Sequence, residues 1–186
     1  TKFKVKCTGK MELYGQTFHC WKEKGHGWVS LKNAMKQSCD TYFYEVARLL
    51  GVDRLNITAE KFGLGKKVLG DYFDNEKKGL FPNTKWKKNN LGKGWVLGET
   101  LITGIGQGYI QSTPLQLCMM TAQIANGGFA VKPKIIVDSN PISYEDAKQS
   151  MESGLLFDTE SDKLLDKKLF KNQKNIKIVQ EAMFAS

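Results

Sequence analysis

Long apolar runs are missing from the 186-residue chain. Every apolar stretch falls well short of the roughly 20 residues that a membrane-spanning helix needs, and no charged-then-apolar leader stands at the N-terminus. We therefore expect any membrane anchor or export signal to lie upstream. The composition, with 41% hydrophobic and 11% aromatic residues, is typical of a folded globular domain rather than of a disordered chain.

Nucleic-acid recognition motifs are also missing, although the net charge is +9. Lysines are spread over 2–36, 61–93 and 163–177, and acidic residues are interleaved in the last of these segments. A basic charge without a recognition motif is typical of a lysine-rich solvated surface, and it also suits a domain that lies near anionic lipid headgroups. We expect no nucleic-acid partner.

Cysteine and histidine are few, and their positions are uneven. Cys7, Cys20 and Cys39 fall with His26 inside the first 39 residues, whereas Cys118 stands alone in an apolar helical pattern and is predicted to be a small buried hydrophobe. Three thiolates and one imidazole form the donor set of a closed tetrahedral zinc site. A disulfide between Cys7 and Cys20 is the alternative for an exported protein, because both flank a glycine-containing turn. The spacing does not match short zinc knuckles, so both interpretations stay open.

The residue pattern alternates short strands with helices. A helix capped by Ser30 is predicted to lead to Ser38, and the next helix is predicted to stop at Gly51. The other predicted elements are strands over 2–7 and 16–21, a helix over 53–62 capped by Asp53, a helix or turn over 99–103, a buried central helix over 113–126 and a last helix over 175–185.

Three segments are patterned less clearly. Residues 65–98 are loop-rich, and we expect the side chains of Trp86 and Trp95 to pack against the rest of the domain and so fix this segment in place. Residues 129–137 alternate as a strand that a proline interrupts, which favours a sheet edge. Residues 138–174 are polar and charged, which predicts a mobile insertion.

Three short motifs carry a resemblance to a known family. They are Ser38-Cys39-Asp40-Thr41-Tyr42-Phe43-Tyr44, Ile105-Gly106-Gln107-Gly108-Tyr109 and Ser112-Thr113-Pro114-Leu115-Gln116. Together they resemble the transpeptidase domain of class B penicillin-binding proteins, in particular the penicillin-binding protein 2 branch. The resemblance implies an α+β fold, in which residues 1–186 form one partial domain of the penicillin-binding-protein and beta-lactamase type, mainly its helical part with short strands.

Only one of the family's three catalytic elements is present. These elements are a Ser-x-x-Lys with the nucleophile, a Ser-x-Asn or Ser-x-Asp, and a Lys-Thr-Gly. No serine of the chain has a lysine three residues later, and Lys-Thr-Gly does not occur. Thr1 and Lys4 have the first spacing without the serine. The chain thus resembles the interior of a catalytic domain whose other two elements lie outside it.

The resemblance gives Ser38 and Asp40 catalytic roles. It implies that Ser38 hydrogen-bonds the nucleophile's lysine or relays a proton to the leaving amine, and that Asp40 contacts the substrate amide and the same lysine. For an isolated Ser-x-Asp, the simpler interpretation is a helix-terminus serine followed by an N-cap aspartate. The neighbouring motifs favour the catalytic interpretation, while substrate-binding residues stay unknown.

The resemblance also bears on the four candidate ligands. Some relatives of the penicillin-binding protein 2 branch hold a structural zinc ion just before the Ser-x-Asp element, at positions that match Cys7, Cys20, His26 and Cys39. This favours zinc over the disulfide. Because Cys39 lies between Ser38 and Asp40, such a metal ion would fix the catalytic loop without taking part in the chemistry.

The family's activity completes the expectation. The resemblance implies a peptidoglycan D,D-transpeptidase that cross-links stem peptides through a serine acyl-enzyme, binds beta-lactams and needs no cofactor for its chemistry. It implies a role in cell-wall elongation at the periplasmic face of the bacterial inner membrane, with a SEDS-type glycosyltransferase as partner. Alone, the chain is expected to be inactive. The alternative is a non-catalytic scaffold or partner-binding domain that has lost its nucleophile.

Overall fold

The chain folds into short strands and helices that form an α+β structure, as predicted. A computed structural model describes residues 3–69, 74–133 and 167–185. Its strands are β1 Lys4–Cys7, β2 Lys10–Leu13, β3 Gln16–His19 and β4 Gly27–Ser30. Its helices are α1 Leu31–Lys36, α2 Asp40–Leu50, α3 Val52–Lys61, α4 Thr84–Leu91, α5 Leu97–Gly104, α6 Pro114–Ala125 and α7 Gln173–Phe184. None of these described helices is long and apolar enough to cross a membrane.

The strands form two separate antiparallel pairs. Strands β1 and β4 pair with Cys7 opposite Gly27, and β2 pairs with β3 in a hairpin. The hairpin turn uses Tyr14 and Gly15, with φ of 48° and 77°, because a tight turn between twisted strands needs two left-handed residues. The two predicted strands are confirmed as β1 and β3 with shorter bounds, whereas β2 and β4 were missed by the sequence pattern.

Helices α1 and α2 lie on either side of the Ser-x-Asp element. Ser30 occupies the N-cap position of α1, as predicted, but its hydroxyl makes no capping hydrogen bond. Gly51 follows the last residue of α2, also as predicted. Both helices pack with β1 and β4 around one apolar cluster. Its buried members are Cys7, Cys20, Val29, Ala34, Cys39 and Tyr42.

Asp53 does not have its predicted role. The N-cap of α3 is Gly51, and Asp53 lies inside the first turn of the helix. Its carboxylate instead accepts hydrogen bonds from the backbone N–H of Thr84, at 2.9 Å, and from the Thr84 hydroxyl. Asp53 therefore connects α3 to the start of α4 rather than capping its own helix.

The segment 65–98 is less loop-rich than predicted, because it contains α4 and the start of α5. The expected packing of its tryptophans is confirmed. The rings of Trp86 and Trp95 lie 5.3 and 6.3 Å from the ring of Tyr109, measured between centroids. Residues 70–73 of this segment lie outside the described residues.

Helix α6 starts as predicted but packs differently. Its N-terminus has a capping box in which Thr113 and Gln116 exchange hydrogen bonds, with proline at the first turn. The predicted burial on all sides is wrong for the described structure. The buried side chains are Gln116, Met119 and Gln123, whereas Leu117 and Cys118 are exposed. The prediction that Cys118 is a buried hydrophobe is therefore wrong as well, because it lies on the solvent side of the helix.

The C-terminal part contains the last described helix. Helix α7 packs against α1 and α6, and its start precedes the predicted one by two residues. Of the predicted strand over 129–137, Phe129 forms an isolated bridge with Lys168. Most of the predicted mobile insertion, residues 138–166, and the end of that strand lie outside the described residues.

Candidate metal centre and Ser-x-Asp site

Four candidate ligands from the first 39 residues meet at one point of the fold. Cys7 ends β1, Cys20 follows β3, His26 precedes β4 and Cys39 precedes α2. Their ligand atoms all lie within 4.8 Å of one another, and the three cysteines are at most 3% exposed. We call these four residues the Cys/His cluster. The structure thus brings together the complete ligand set that the sequence predicted.

The spacing of the donor atoms in the Cys/His cluster fits a zinc ion. Nδ1 of His26 lies 3.5 Å from Sγ of Cys7 and 3.6 Å from Sγ of Cys20. Zinc bonds of about 2.3 Å to sulfur and about 2.0 Å to nitrogen, at tetrahedral angles, place sulfur and nitrogen about 3.5 Å apart. All four cysteines of the chain are free thiols, so the alternative Cys7–Cys20 disulfide is not formed in the structure.

The thiols of the cluster differ in their ease of ionisation. Burial opposes ionisation of Cys7, but hydrogen bonds with Thr41 and His26 outweigh it and lower the pKa of this thiol to about 6. Burial and the neighbouring Cys7 thiolate raise the pKa of Cys39 to about 12. Cys7 therefore forms a thiolate readily without a metal ion. Ionising Cys39 as well requires a nearby cation, and a zinc ion would supply one.

Two glycines let the chain close around the cluster. Gly9 and Gly25 have φ of 93° and 76°, which L-residues with a side chain rarely adopt. A Cβ at Gly25 would lie 2.3 Å from the carbonyl oxygen of Cys7, and one at Gly9 would lie 1.9 Å from that of Glu23. The loop from Cys20 to His26 consequently packs directly on the turn that follows β1.

The Ser-x-Asp element turns sharply between α1 and α2. Ser38 has φ of 49°, a left-handed conformation that costs an L-residue about 1 kcal/mol or more. The N–H of Cys39 donates to the carbonyl of Ala34 at 2.9 Å, which closes the turn. Cys39 is the N-cap of α2, and Asp40 is its first helical residue. The simpler interpretation of Asp40 as an N-cap therefore does not describe this turn.

Ser38 and Asp40 line the same cavity, which has a volume of about 340 Å³. Its other walls are apolar. They are formed by Met35, Phe43, Ile105 and Met183. The cavity therefore joins the Ser-x-Asp element to Ile105 of the second motif and to helix α7, and it presents a hydroxyl and a carboxylate against an apolar surface.

Sequence reasoning missed two residues at this site. Thr41, whose hydroxyl lies 3.4 Å from Sγ of Cys7, belongs to the quoted motif but received no role. Trp21 directly follows Cys20, and its backbone N–H donates to a carboxylate oxygen of Asp40 at 3.0 Å. Its position between two candidate ligands was the only available signal, because the hydrogen bond depends on how the loop packs against α2.

A second polar cluster involves Tyr109, the last residue of the second motif. The ammonium of Lys87 forms an ion pair with Glu99, and the hydroxyl of Tyr109 also donates to Glu99. Burial opposes ionisation of this carboxyl, but the hydrogen bonds from Lys87 and Val96 outweigh it, so the pKa of Glu99 is lowered. These contacts fix α4 and α5 relative to Tyr109.

Comparison with known proteins identifies relatives with closely similar sequences. The chain is 44% identical over 119 residues to "Peptidoglycan D,D-transpeptidase MrdA" of Acinetobacter baumannii, which covers 64% of the chain and 18% of the relative. It is 36% identical over 129 residues to the protein of the same name from Escherichia coli K12, covering 69% of the chain and 20% of the relative. The chain thus spans about a fifth of the length of the curated relatives it matches.

Solved structures agree with these sequence matches. The chain superimposes on Pseudomonas aeruginosa PBP2, solved in complex with WCK 5153, with a TM-score of 0.78, 35% identity and coverage of 98% of this chain and 38% of the other. Helicobacter pylori PBP2, solved in complex with MreC, gives a TM-score of 0.78 and 26% identity, with 99% and 30% covered. The family described as "Penicillin binding protein transpeptidase domain" matches residues 1–185. The chain therefore belongs to the penicillin-binding protein transpeptidase family, as a segment of the PBP2 type.

Proposed function

We propose that the chain is part of a peptidoglycan D,D-transpeptidase that cross-links stem peptides through a serine acyl-enzyme. One observation carries this proposal: Ser38 and Asp40 line a single cavity, next to the second motif of the family to which the chain belongs. The serine nucleophile, its lysine and the Lys-Thr-Gly element come from segments that the chain does not contain. The 186 residues alone are therefore inactive.

The proposed reaction is an acyl transfer in two steps. The nucleophilic hydroxyl attacks the carbonyl of the D-Ala-D-Ala bond, and the C–N bond breaks as the terminal D-Ala leaves with a proton on its amine. An amine of a neighbouring stem peptide then attacks the ester, and the serine hydroxyl is restored. Ser38 relays the proton to the leaving amine, and the Asp40 carboxylate orients the catalytic lysine and the substrate amide.

We propose a structural role for the Cys/His cluster. Cys7, Cys20, His26 and Cys39 would hold a zinc ion, because their donor set and spacing fit one. The metal ion provides no acid, base or nucleophile when bound and only holds its ligands together. Since Cys39 lies between Ser38 and Asp40, holding this ligand fixes the backbone of both catalytic residues.

The relatives suggest the cellular setting. One matched structure, at 34% identity and a TM-score of 0.59 over 68% of the chain, is described as "Structural coordination of polymerization and crosslinking by a peptidoglycan synthase complex". The Helicobacter pylori PBP2 structure contains MreC. We propose that the present protein likewise acts in cell-wall elongation at the periplasmic face of the inner membrane, with stem peptides as substrates, beta-lactams as inhibitors and a SEDS-type glycosyltransferase as partner.

Covalent labelling with a fluorescent penicillin tests this function. The full-length protein should give a labelled band after denaturing electrophoresis, and the 186-residue chain should give none, because it lacks the nucleophile. A Ser38→Ala variant should be labelled at least roughly 100-fold more slowly, as expected for loss of a proton relay. Ser30→Ala is the matched control, since the Ser30 hydroxyl makes no capping bond.

Two results would contradict the proposal. A full-length protein that stays unlabelled would support the non-catalytic scaffold instead. A labelled 186-residue chain would show that a serine within it acts as nucleophile, which the proposed division of elements does not allow.

A further inference from the structure

Trp21 makes two hydrogen bonds although its side chain is largely in solvent. The residue is 64% exposed. Its indole Nε1–H donates to the carbonyl oxygen of Gln37 at 2.9 Å, and its backbone N–H donates to Oδ2 of Asp40 at 3.0 Å. The two acceptors lie on either side of Ser38 and Cys39. One residue thus contacts both ends of the Ser-x-Asp element.

The ring of Trp21 is also held from the metal-ligand side. Its centroid lies 5.3 Å from that of His26, in an edge-to-face arrangement. The preceding residue is Cys20, whose N–H donates to the carbonyl of Gly9 at 2.8 Å. The backbone N–H, the indole N–H and the ring of Trp21 therefore each have a partner, so this exposed side chain has a fixed position.

Ser38 is the residue that most needs such support. Its left-handed backbone is unfavourable for serine and persists only where neighbouring contacts determine it. The carbonyl of Gln37 precedes the N–H of Ser38 in the same peptide unit. A donor on this carbonyl therefore restricts the orientation of the peptide plane that sets φ of Ser38.

We infer that Trp21 is a positioning residue that sets the backbone of Ser38 through Gln37 and the carboxylate of Asp40 directly. This inference rests on the proposed function, in which Ser38 and Asp40 are catalytic. Trp28 offers a matched control in the same sheet region. It is 67% exposed, and within the described residues its indole has no hydrogen-bond partner.

Indole hydrogen exchange tests the contact independently of activity. The full-length protein is labelled with 15N-tryptophan, and the variants Trp21→Phe and Trp28→Phe assign the two indole resonances by their loss. The indole proton of Trp21 should exchange roughly tenfold or more slowly than that of Trp28, because a hydrogen-bonded proton exchanges only after the contact opens. Equal exchange at the two positions would overturn the inference.

Penicillin acylation then tests the positioning role. Trp21→Phe removes the indole donor and keeps the aromatic contact, so it should lower the first-order acylation constant roughly fivefold, the effect of losing one hydrogen bond. The penicillin dissociation constant, zinc content and melting temperature should stay at the wild-type values. Trp28→Phe should match the wild type throughout.

The outcomes separate the two proposals. Slow exchange of Trp21 with an unchanged acylation constant in Trp21→Phe would overturn the positioning role while leaving the transpeptidase proposal in place. A wild-type protein that does not react with penicillin would overturn the proposed function and the positioning role that rests on it. The exchange of the Trp21 indole proton would still report whether the contact itself exists.

Discussion

Two regions of the molecule satisfy their buried polar groups in different ways. The N-terminal region, residues 4–50, places three thiols and an imidazole in its core. The amide region, residues 52–131, buries the side chains of Gln116, Gln123 and Asn56 instead. One bound metal ion can satisfy a cluster of thiols and an imidazole together, whereas neutral amides pair with the backbone by themselves.

The amide side chains connect loops that no strand pairing joins. Nε2 of Gln116 donates to the carbonyls of Lys66, at 2.6 Å, and Lys78, at 2.9 Å. Nε2 of Gln123 donates to the carbonyl of Phe62 at 3.1 Å. These bonds satisfy buried carbonyls in irregular segments, where unpaired groups would be unfavourable.

The two regions differ in whether their buried polar groups need a ligand from outside the chain. The three buried amide side chains of the amide region find their hydrogen-bond partners within it, so they are satisfied without a ligand. The N-terminal region carries Ser38 and Asp40, and under the proposed structural role of the Cys/His cluster its geometry depends on a bound zinc ion. We therefore expect conditions that remove metal ions to affect the Ser-x-Asp element first and the amide region little.

Metal chelation should affect the two regions most differently. Chelation should raise amide hydrogen exchange in residues 4–30 by at least roughly 100-fold and leave residues 114–125 unchanged, because structural zinc contributes about 10 kcal/mol or more to its own segment. Hydrogen exchange with mass spectrometry measures both, and metal analysis should find about one zinc ion per chain before chelation.

A matched pair of cysteine variants provides the control for that experiment. Cys20→Ser should lose the zinc ion and reproduce the effect of the chelator. Cys118→Ser should retain it, since Cys118 is exposed on α6 and outside the cluster. If the purified wild-type protein contains no metal ion and its hydrogen exchange does not change with chelators, the proposed zinc ion of the N-terminal region is contradicted.

The Lys87–Glu99 pair is the charged exception within the amide region. Glu99→Gln should lower the free energy of unfolding at pH 7 by about 3 kcal/mol, because it leaves a buried ammonium without its carboxylate. Chemical denaturation measures this. Glu45→Gln is the control, and it should change stability by at most about 0.5 kcal/mol, because the Glu45–Arg48 pair is a partly exposed i,i+3 pair of one helix that leaves Arg48 in reach of water.

The pH dependence of this pair follows from the direction of its pKa. The pKa of Glu99 is lowered in the folded protein, so its contribution is fully present above the ordinary carboxyl pKa of about 4.3 and is lost as the pH falls through the folded value. The stability gap between wild type and Glu99→Gln should therefore narrow below about pH 4. A gap that is constant with pH would exclude the ion pair as its cause.

A substitution at Gln116 tests whether the buried amide side chains stabilise the amide region. Gln116→Ala should lower the free energy of unfolding by about 2 kcal/mol, because the buried carbonyls of Lys66 and Lys78 lose their donor. Gln107 is an exposed glutamine with no side-chain hydrogen bond among the described residues, so Gln107→Ala should be close to neutral. Equal melting temperatures for the two variants would contradict the role given to the amide.

Thiol labelling gives the smallest and simplest test. In the metal-loaded protein, iodoacetamide should modify Cys118 quickly, because it is exposed. The three cluster cysteines are buried and should react only after chelation. Mass spectrometry counts the modified thiols, and modification of Cys7 or Cys20 before Cys118 would show that the cluster is open in solution.

Sequence reasoning succeeded where chemistry is local or a motif is specific. The helix start at Thr113 followed from a capping box and a proline, both of which act within one turn. The four ligands were found because thiols and imidazole are rare in this chain, and the structure places them together. The roles of Ser38 and Asp40 came from the resemblance and stay predictions.

Other elements could not be predicted, because their causes are distant in sequence. Helix α4 has lysine and asparagine where an apolar stripe is expected, and its burial depends on the pairing of Lys87 with Glu99. The buried face of α6 is lined by glutamines whose partners lie about 40 to 60 residues away, so a hydrophobic pattern selects the wrong face. Asp53 was assigned to its own helix because its partner Thr84 lies 31 residues further along the chain.

The Cys/His cluster also bears on the order in which the protein assembles. All its ligands lie between residues 7 and 39, whereas Gln116 and Gln123 require partners from much earlier parts of the chain. Closing short loops loses less chain entropy, and contacts near in sequence form faster. If the proposed zinc ion is bound, it can therefore bind as soon as residues 7–39 have reached the compartment in which the protein folds, so the supply of zinc during folding, and not only in the mature protein, would decide how much of it folds with an ordered Ser-x-Asp element.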